Sequence, residues 1–187
     1  METRFLEDEI KYTGKELSSH WIYRNFNILG DAAVAFIGEC EVKLGEMVDI
    51  EDVINKEPIY SSKMLNIIIE HFSIPLIEGV FRQRLIVTIL KELLEKKCPN
   101  TIFTRDGDDI FADNKKLTVS IATKSLTSVL IHFGINIDPK GAPIAASGLK
   151  TDLNIQNIKE IAKELLDNYN KEINSIKNAV CKVRGVI

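Results

Sequence analysis

Residues 105–137, RDGDDIFADNKKLTVSIATKSLTSVLIHFGINI, decide how the rest of the chain is read. Asp109, Ile110 and Phe111 begin a strand, and Ala112-Asp113-Asn114 supplies turn chemistry, since Asp and Asn tolerate left-handed backbone. Lys116 to Thr123 then alternates apolar and hydroxyl residues with the period of a half-buried strand. Ser125 to Ser128 forms a second turn, and Val129 to Ile137 is an apolar run broken by His132, Gly134 and Asn136, the pattern of a central strand. The expectation is a three-stranded meander with a lysine beside an acidic turn.

Strand alternation adds a finer expectation. If the strand is continuous from Lys115, then Lys116 shares a polar face with Thr118, Ser120 and Ala122, and Lys115 shares the core-facing side with Leu117, Val119 and Ile121.

The order of these segments resembles the biotin- and lipoate-protein ligases, which carry W-P-N-D-I, then K-(I/L)-x-G, then G-I-G-I-N-V. Here Gly107-Asp108-Asp109-Ile110, Lys116-Leu117-Thr118-Val119 and His132-Phe133-Gly134-Ile135-Asn136-Ile137 follow in the same order. Upstream, Ser18-Ser19-His20 and Gly30-Asp31-Ala32-Ala33-Val34-Ala35 stand where the ligases have Ser-Thr-Asn and G-D-A-x-(I/V)-A, so the likeness spans residues 18–137. The whole chain also resembles an uncharacterised archaeal family, domain of unknown function 366.

The resemblance implies an α+β fold with a mostly antiparallel mixed sheet and helices on one side, like the class II synthetases and biotin/lipoate ligases. It also implies a ligand pocket. In that pocket Lys116 would be catalytic, neutralising a small carboxylate ligand, and Glu70, an ionisable residue within an apolar run where an unpaired carboxylate is costly, is read as the catalytic carboxylate beside it. Ser18, Ser19, Asp108, Asp109, Ser120 and Asn136 would bind ligand, and Asp109 would hold Mg²⁺ with ATP. The implied activity is ATP-dependent activation of the carboxylate and its transfer to an acceptor.

Two departures bear on that activity. The ligases place a Gly/Arg-rich phosphate loop where this chain has Gly45 to Asn55, GEMVDIEDVIN, which is acidic and holds Asp49 as a cap for a short helix. Val119 stands where the ligases have Gly. The alternative is therefore a non-catalytic ligand- or partner-binding protein on a ligase-like scaffold. A third class is a nucleotide-independent hydrolase or transferase using Glu70, His71 and the acidic segment.

At 187 residues and 45% hydrophobic, the chain is long enough for one domain with a sizeable core. A net charge of -3 argues against a general nucleic-acid surface. Three widely spaced cysteines, Cys40, Cys98 and Cys181, form no metal or redox pair and point to a reducing cytoplasm, with Cys98 an ordinary thiol. No apolar run nears the ~20 residues of a membrane span, and the acidic start is not that of a signal peptide.

Among the remaining segments, Phe5 to Thr13 reads as a short edge strand, and Ser18 or Ser19 as the N-cap of a helix carrying Trp21, Ile22 and Phe26. Ala32 to Val42 reads as a buried strand, Pro58 to Ser62 as a turn, and Met64 to Phe72 as a strand. Glu70 and His71 must then point to opposite faces. Arg82 to Lys97 is an amphipathic helix, with Arg82 and Arg84 at its N-terminal end calling for an anion such as a phosphate or Glu78. Asp138 to Thr151 is a Gly/Pro/Ala loop long enough to be a lid, and residues 152–180 hold a long buttressing helix whose stripe packs on the core or on a second subunit of a homodimer.

Overall fold

The computed structural model describes residues 1–186. Its main sheet has five strands: β1 (Glu2–Phe5), β2 (Ala32–Val42), β3 (Ile59–Phe72), β7 (Thr118–Lys124) and β8 (Ser128–Asp138), in the order β1-β2-β3-β8-β7. Only the β1–β2 pair is parallel, so the sheet is mixed and mostly antiparallel, and the fold is α+β. A small second sheet joins β4 (Phe103–Asp106), β5 (Asp109–Ala112) and β6 (Lys115–Lys116).

Period-2 alternation divides the central strands between two cores. Ala33, Ala35, Leu65, Ile67, Ile69, Ile131, Phe133 and Ile135 face one side, where the long helices α3 (Leu76–Lys97) and α4 (Ile158–Cys181) cover them. Ala32, Val34, Phe36, Met64, Ile68 and Leu130 face the other, covered by the short helix α1 (Trp21–Phe26) and by Leu6, Tyr12 and Leu17. The segment before Tyr12 lies so close to β2 that a Cβ on Gly38 would sit 1.9 Å from the Ile10 carbonyl oxygen. No helix among the described residues is long and apolar enough to cross a membrane.

Several elements differ from their sequence reading. The strand expected over Lys116 to Thr123 is broken at Leu117, which leaves β6, turns its side chain fully into the core, and bridges the sheets: its N–H donates to Ile110 O and its carbonyl accepts from Asn136 N. Alternation restarts at Thr118, so Thr118, Ser120 and Ala122 face α3 while Val119 and Ile121 face the opposite core; the polar-face assignment for Lys116 is corrected accordingly. Burial of Leu117 is worth about 2 kcal/mol, enough to override the register of a short strand. The Asp113-Asn114 turn is as expected, with both residues left-handed at φ 48 and 65.

The edge strand read over Phe5 to Thr13 ends at Phe5, and Tyr12 alone bridges further along, to Cys40. Strand β3 starts at Ile59 because residues 59–61 continue the ladder with β2 past a register shift at Gly38/Cys40, where a turn was expected. Helix α3 begins at Leu76, just after Pro75, so Arg82 and Arg84 are interior; Arg82 pairs with Glu78 one turn back, and Arg84 with Asp108. Ser18 and Ser19 do not cap α1: His20 does so in a left-handed conformation without a side-chain cap bond. Asp49 does cap α2 (Ile50–Asn55), accepting from Glu51 N at 2.8 Å, and Asn157 caps α4 by accepting from Glu160 N.

Candidate functional site

A cavity of about 520 Å³ opens at the end of the sheet where β2 finishes, β3 begins and β8 finishes. Its floor is the sheet face opposite α3 and α4, formed by Met64, Val119, Ile121 and His132, with Tyr12 and Leu17 beside them. One wall is the acidic segment from Glu46 to Tyr60, including α2. The facing wall is the loop after β8, through Ala142, Pro143, Ile144 and Ala146. That loop runs beside β6, with Lys116 N donating to Ala145 O at 3.1 Å and Ser147 N to Lys116 O at 3.0 Å.

Lys116 and Asp109 both line the cavity and form an ion pair of 2.8 Å, each side chain about one-quarter exposed. Burial pushes the Asp109 carboxyl up from its usual range, while Lys116 pulls it down and Asp108 adds to the rise. Asn136, largely buried at the rim, turns its amide toward the Lys116 carbonyl at 3.4 Å, so it holds the backbone beneath the lysine. Asp108 is fully engaged: Oδ2 accepts from Gln83 Nε2 at 2.8 Å and from Ser120 Oγ at 2.9 Å, and Oδ1 lies 2.9 Å from Arg84 Nη1 at an ion-pair distance without hydrogen-bond alignment.

The charge of the lining is lopsided. Glu46, Asp49, Asp52, Glu57, Asp108 and Asp109 line the cavity against Lys56 and Lys116, with the Asp108 carboxylate turned to Gln83 and Arg84. Burial raises the Asp52 carboxyl, and Asp49, Glu57 and Asp109 raise it further against Lys116. Carboxylates from α2 and from β5 thus crowd one space.

His132 carries the most informative buried polar contact. Its Nε2 lies 3.0 Å from Asn66 Oδ1, and Asn66 Nδ2 points to Met64 O at 3.4 Å, so the amide orientation assigns the proton to Nε2 and leaves Nδ1 an acceptor. The ring stacks on Tyr12 with centroids 3.7 Å apart and planes 14° from parallel. Burial pushes its pKa down to about 3, so it stays neutral. Tyr12, Met64 and Asn66 escaped the sequence reading as site residues, whereas Asp52 lay in the acidic segment read over Gly45 to Asn55 and His132 gave a signal as a polar interruption of an apolar strand.

The expected site residues divide between the two ends of the sheet. Lys116, Asp109 and Asn136 line the cavity, and Asp108 and Ser120 border it with their side chains turned to Gln83 on α3. Glu70 lies six residues along β3 from Met64, about 20 Å away at ~3.3 Å per residue, and forms no site with Lys116. Its Oε1 accepts from His20 N at 2.9 Å and Ser128 Oγ at 2.6 Å. Ser19 is at that same far end, bonded to Thr127 Oγ1 at 2.7 Å and to His20 Nδ1, and Ser18 accepts from Arg24; neither serine lines the cavity.

His71 points to the other face, as alternation requires. Its Nδ1 is 2.9 Å from Arg82 Nη1, and its Nε2 is 2.9 Å from Tyr169 OH. With Arg82 donating, Nδ1 carries no proton, and the 3.3 Å approach of Asp31 Oδ2 to it is not a hydrogen bond. Burial lowers the His71 pKa, consistent with a neutral ring. Glu70, His71 and the acidic segment therefore form no hydrolase-like constellation.

The family model for a domain of unknown function, DUF366, matches residues 1–184. The chain belongs to the DUF366 family. An uncharacterised protein of Methanocaldococcus jannaschii is 39% identical over 189 residues, covering 98% of this chain and 84% of that protein. Among solved structures, a protein of unknown function from Pyrococcus horikoshi superposes with a TM-score of 0.91 at 37% identity, over 100% of this chain and 99% of that one. A biotin protein ligase variant from Aquifex aeolicus in complex with biotin gives a TM-score of 0.60 at 14% identity, covering 95% of this chain and 72% of that one. A T. acidophilum protein with bound lipoic acid gives 0.55 at 14%, covering 93% and 87%. DUF366 thus shares the fold of the biotin/lipoate ligases.

Proposed function

We propose that this DUF366 protein is a small-molecule-binding protein on a ligase-like scaffold, with the cavity at the Met64–Asn136 end of the sheet as its site. The observation that carries the reading is the cavity's composition: an apolar and aromatic floor of Tyr12, Met64, Val119 and Ile121, with polar groups at one rim. Such a mixture suits an organic ligand, whose body is desolvated while a few polar groups orient it.

Activation of a carboxylate with ATP and Mg²⁺ has weaker support, because the residues present do not fit a triphosphate. The acidic segment from Glu46 to Glu57 contributes four carboxylates to the lining. Asp108 is consumed by Gln83, Ser120 and Arg84, and Asp109 by Lys116. Among the described residues, no three His, Cys, Asp or Glu side chains gather as a ready cation site. The position of Lys116 favours a second reading, in which a ligand carboxylate exchanges with Asp109 for the ammonium.

The test is native mass spectrometry of freshly purified protein, alongside ligand-observed NMR with 4-phenylbutanol as a neutral probe. Val119→Trp, placed on the cavity floor, should abolish probe binding and any retained mass while preserving the melting transition. Unchanged binding by that variant would move the site elsewhere.

A further inference from the structure

The cavity combines three features that belong to different parts of the chain. Its floor is apolar and includes Tyr12 and Met64, which a strongly hydrated ligand would not match. Its walls bring Asp49 and Asp52 from the α2 segment against Asp109 from β5, and of the lining lysines, Lys56 and Lys116, the latter is held by Asp109 at 2.8 Å. Its floor also holds His132, only 3% exposed, whose Nε2 is bonded to Asn66 while Nδ1 makes no hydrogen bond among the described residues. The last feature is independent of the carboxylates, and it too lacks a hydrogen-bond donor.

Resting on the reading of this cavity as a small-molecule site, we infer that its ligand is an amphipathic organic cation. Its apolar body lies on Met64, Val119 and Ile121, and its protonated nitrogen lies between Asp52 and Asp109. A cation placed there offsets carboxylates that the acidic lining leaves in excess of its lysines, and its N–H groups can donate to them. Tyr60, in the wall beside the acidic segment, adds an aromatic face of the kind that attracts ammonium groups. A free carboxylate at the same position would meet the acidic wall and would have to displace Asp109 to reach Lys116. Raised carboxyl pKa values at both Asp52 and Asp109 agree with this imbalance.

Three probes on one skeleton test the inference: 4-phenylbutylamine, 4-phenylbutanol and 4-phenylbutyrate, each titrated calorimetrically into the full-length protein. The amine should bind about tenfold more tightly than the alcohol, and the carboxylate more weakly than either. Asp52→Asn combined with Asp109→Asn should remove most of the amine's advantage over the alcohol. With the parent protein alone, raising salt should weaken the amine and not the alcohol, a readout independent of how the variants fold.

Equal binding of all three, or tighter binding of the carboxylate, overturns the cationic assignment while leaving the cavity a small-molecule site. Failure of all three to bind at millimolar concentration overturns both readings.

Discussion

Lys116 Nζ stands 2.8 Å from Asp109 Oδ2 across the β5–β6 hairpin, so this cavity-lining lysine is already matched by a carboxylate from its own hairpin. Its neighbour Lys115 points elsewhere, to Asp152 at 3.2 Å, with half of its side chain in solvent. Lys116→Ala should therefore deepen the acid excess, strengthening 4-phenylbutylamine binding by about three- to tenfold and weakening 4-phenylbutyrate. Lys115→Ala should change neither, and should alter stability by less than about 0.5 kcal/mol. Calorimetry and thermal melts of the two variants measure the contrast.

Glu70 is expected to act through the fold. Glu70→Ala leaves the His20 N–H and the Ser128 hydroxyl without their acceptor in a buried environment and should cost about 2–4 kcal/mol. Probe affinity at the cavity should not move. A drop in 4-phenylbutanol affinity in protein that is still folded would instead couple the two ends of the sheet.

Gly134 keeps the cavity floor low. A Cβ there would lie 2.4 Å from Met64 Sδ, 3.0 Å from Val119 Cγ2 and 3.3 Å from His132 Cε1. The thioether is flexible enough to give way, so Gly134→Ala should fold with a loss of about 1–2 kcal/mol and bind 4-phenylbutanol more weakly. At Gly38 the obstacle is the Ile10 backbone, and Gly38→Ala should cost more than Gly134→Ala in the same denaturant titration.

Acid sensitivity should begin above the carboxylate range. His132 is held at about 3 by burial, below its ordinary value near 6.5, and His71 is lowered in the same direction by its own burial. The unfolded chain takes up these protons first, so stability is lost progressively as pH falls from about 6.5, at up to ~1.4 kcal/mol per pH unit for each group. Asp31 behaves oppositely in origin: despite its burial, the Phe72 N–H and Lys177 lower its carboxyl, and its contribution is lost only below about 3.8. His132→Phe should flatten the melting temperature profile between pH 6.5 and 4.5, whatever its effect on stability at pH 8. An unchanged slope would show that this ring is protonated in the folded protein.

Thiol labelling should follow burial. Cys181 is exposed, Cys98 is partly covered and its pKa is raised by burial against the pull of Lys97, and Cys40 is buried and pushed up to about 12. Near neutral pH, Cys181 should react first, Cys98 more slowly, and Cys40 only on unfolding. Faster labelling of Cys98 than Cys181 would contradict this order.

The sequence alone determined the elements whose side chains obey a simple period. Strand β8 is apolar almost throughout because both of its faces are covered, and α4 carries its buried residues from Ile158 to Ile173 on one stripe. The Asp113-Asn114 turn and the Asp49 cap were legible from local chemistry, because those side chains favour left-handed backbone or bond to nearby N–H groups. The order of short segments around Asp108-Asp109, Lys116 and Asn136 pointed to the ligase fold. What tertiary structure decided was where alternation stops and which polar residues meet. Leu117 breaks the strand because two sheets compete for its backbone and one core takes its side chain. Glu70 and Lys116 are separated by the length of β3, and Tyr12 reaches His132 from a segment with no regular structure. Distances of that kind depend on register and on packing between segments far apart in the chain, and no local pattern encodes them.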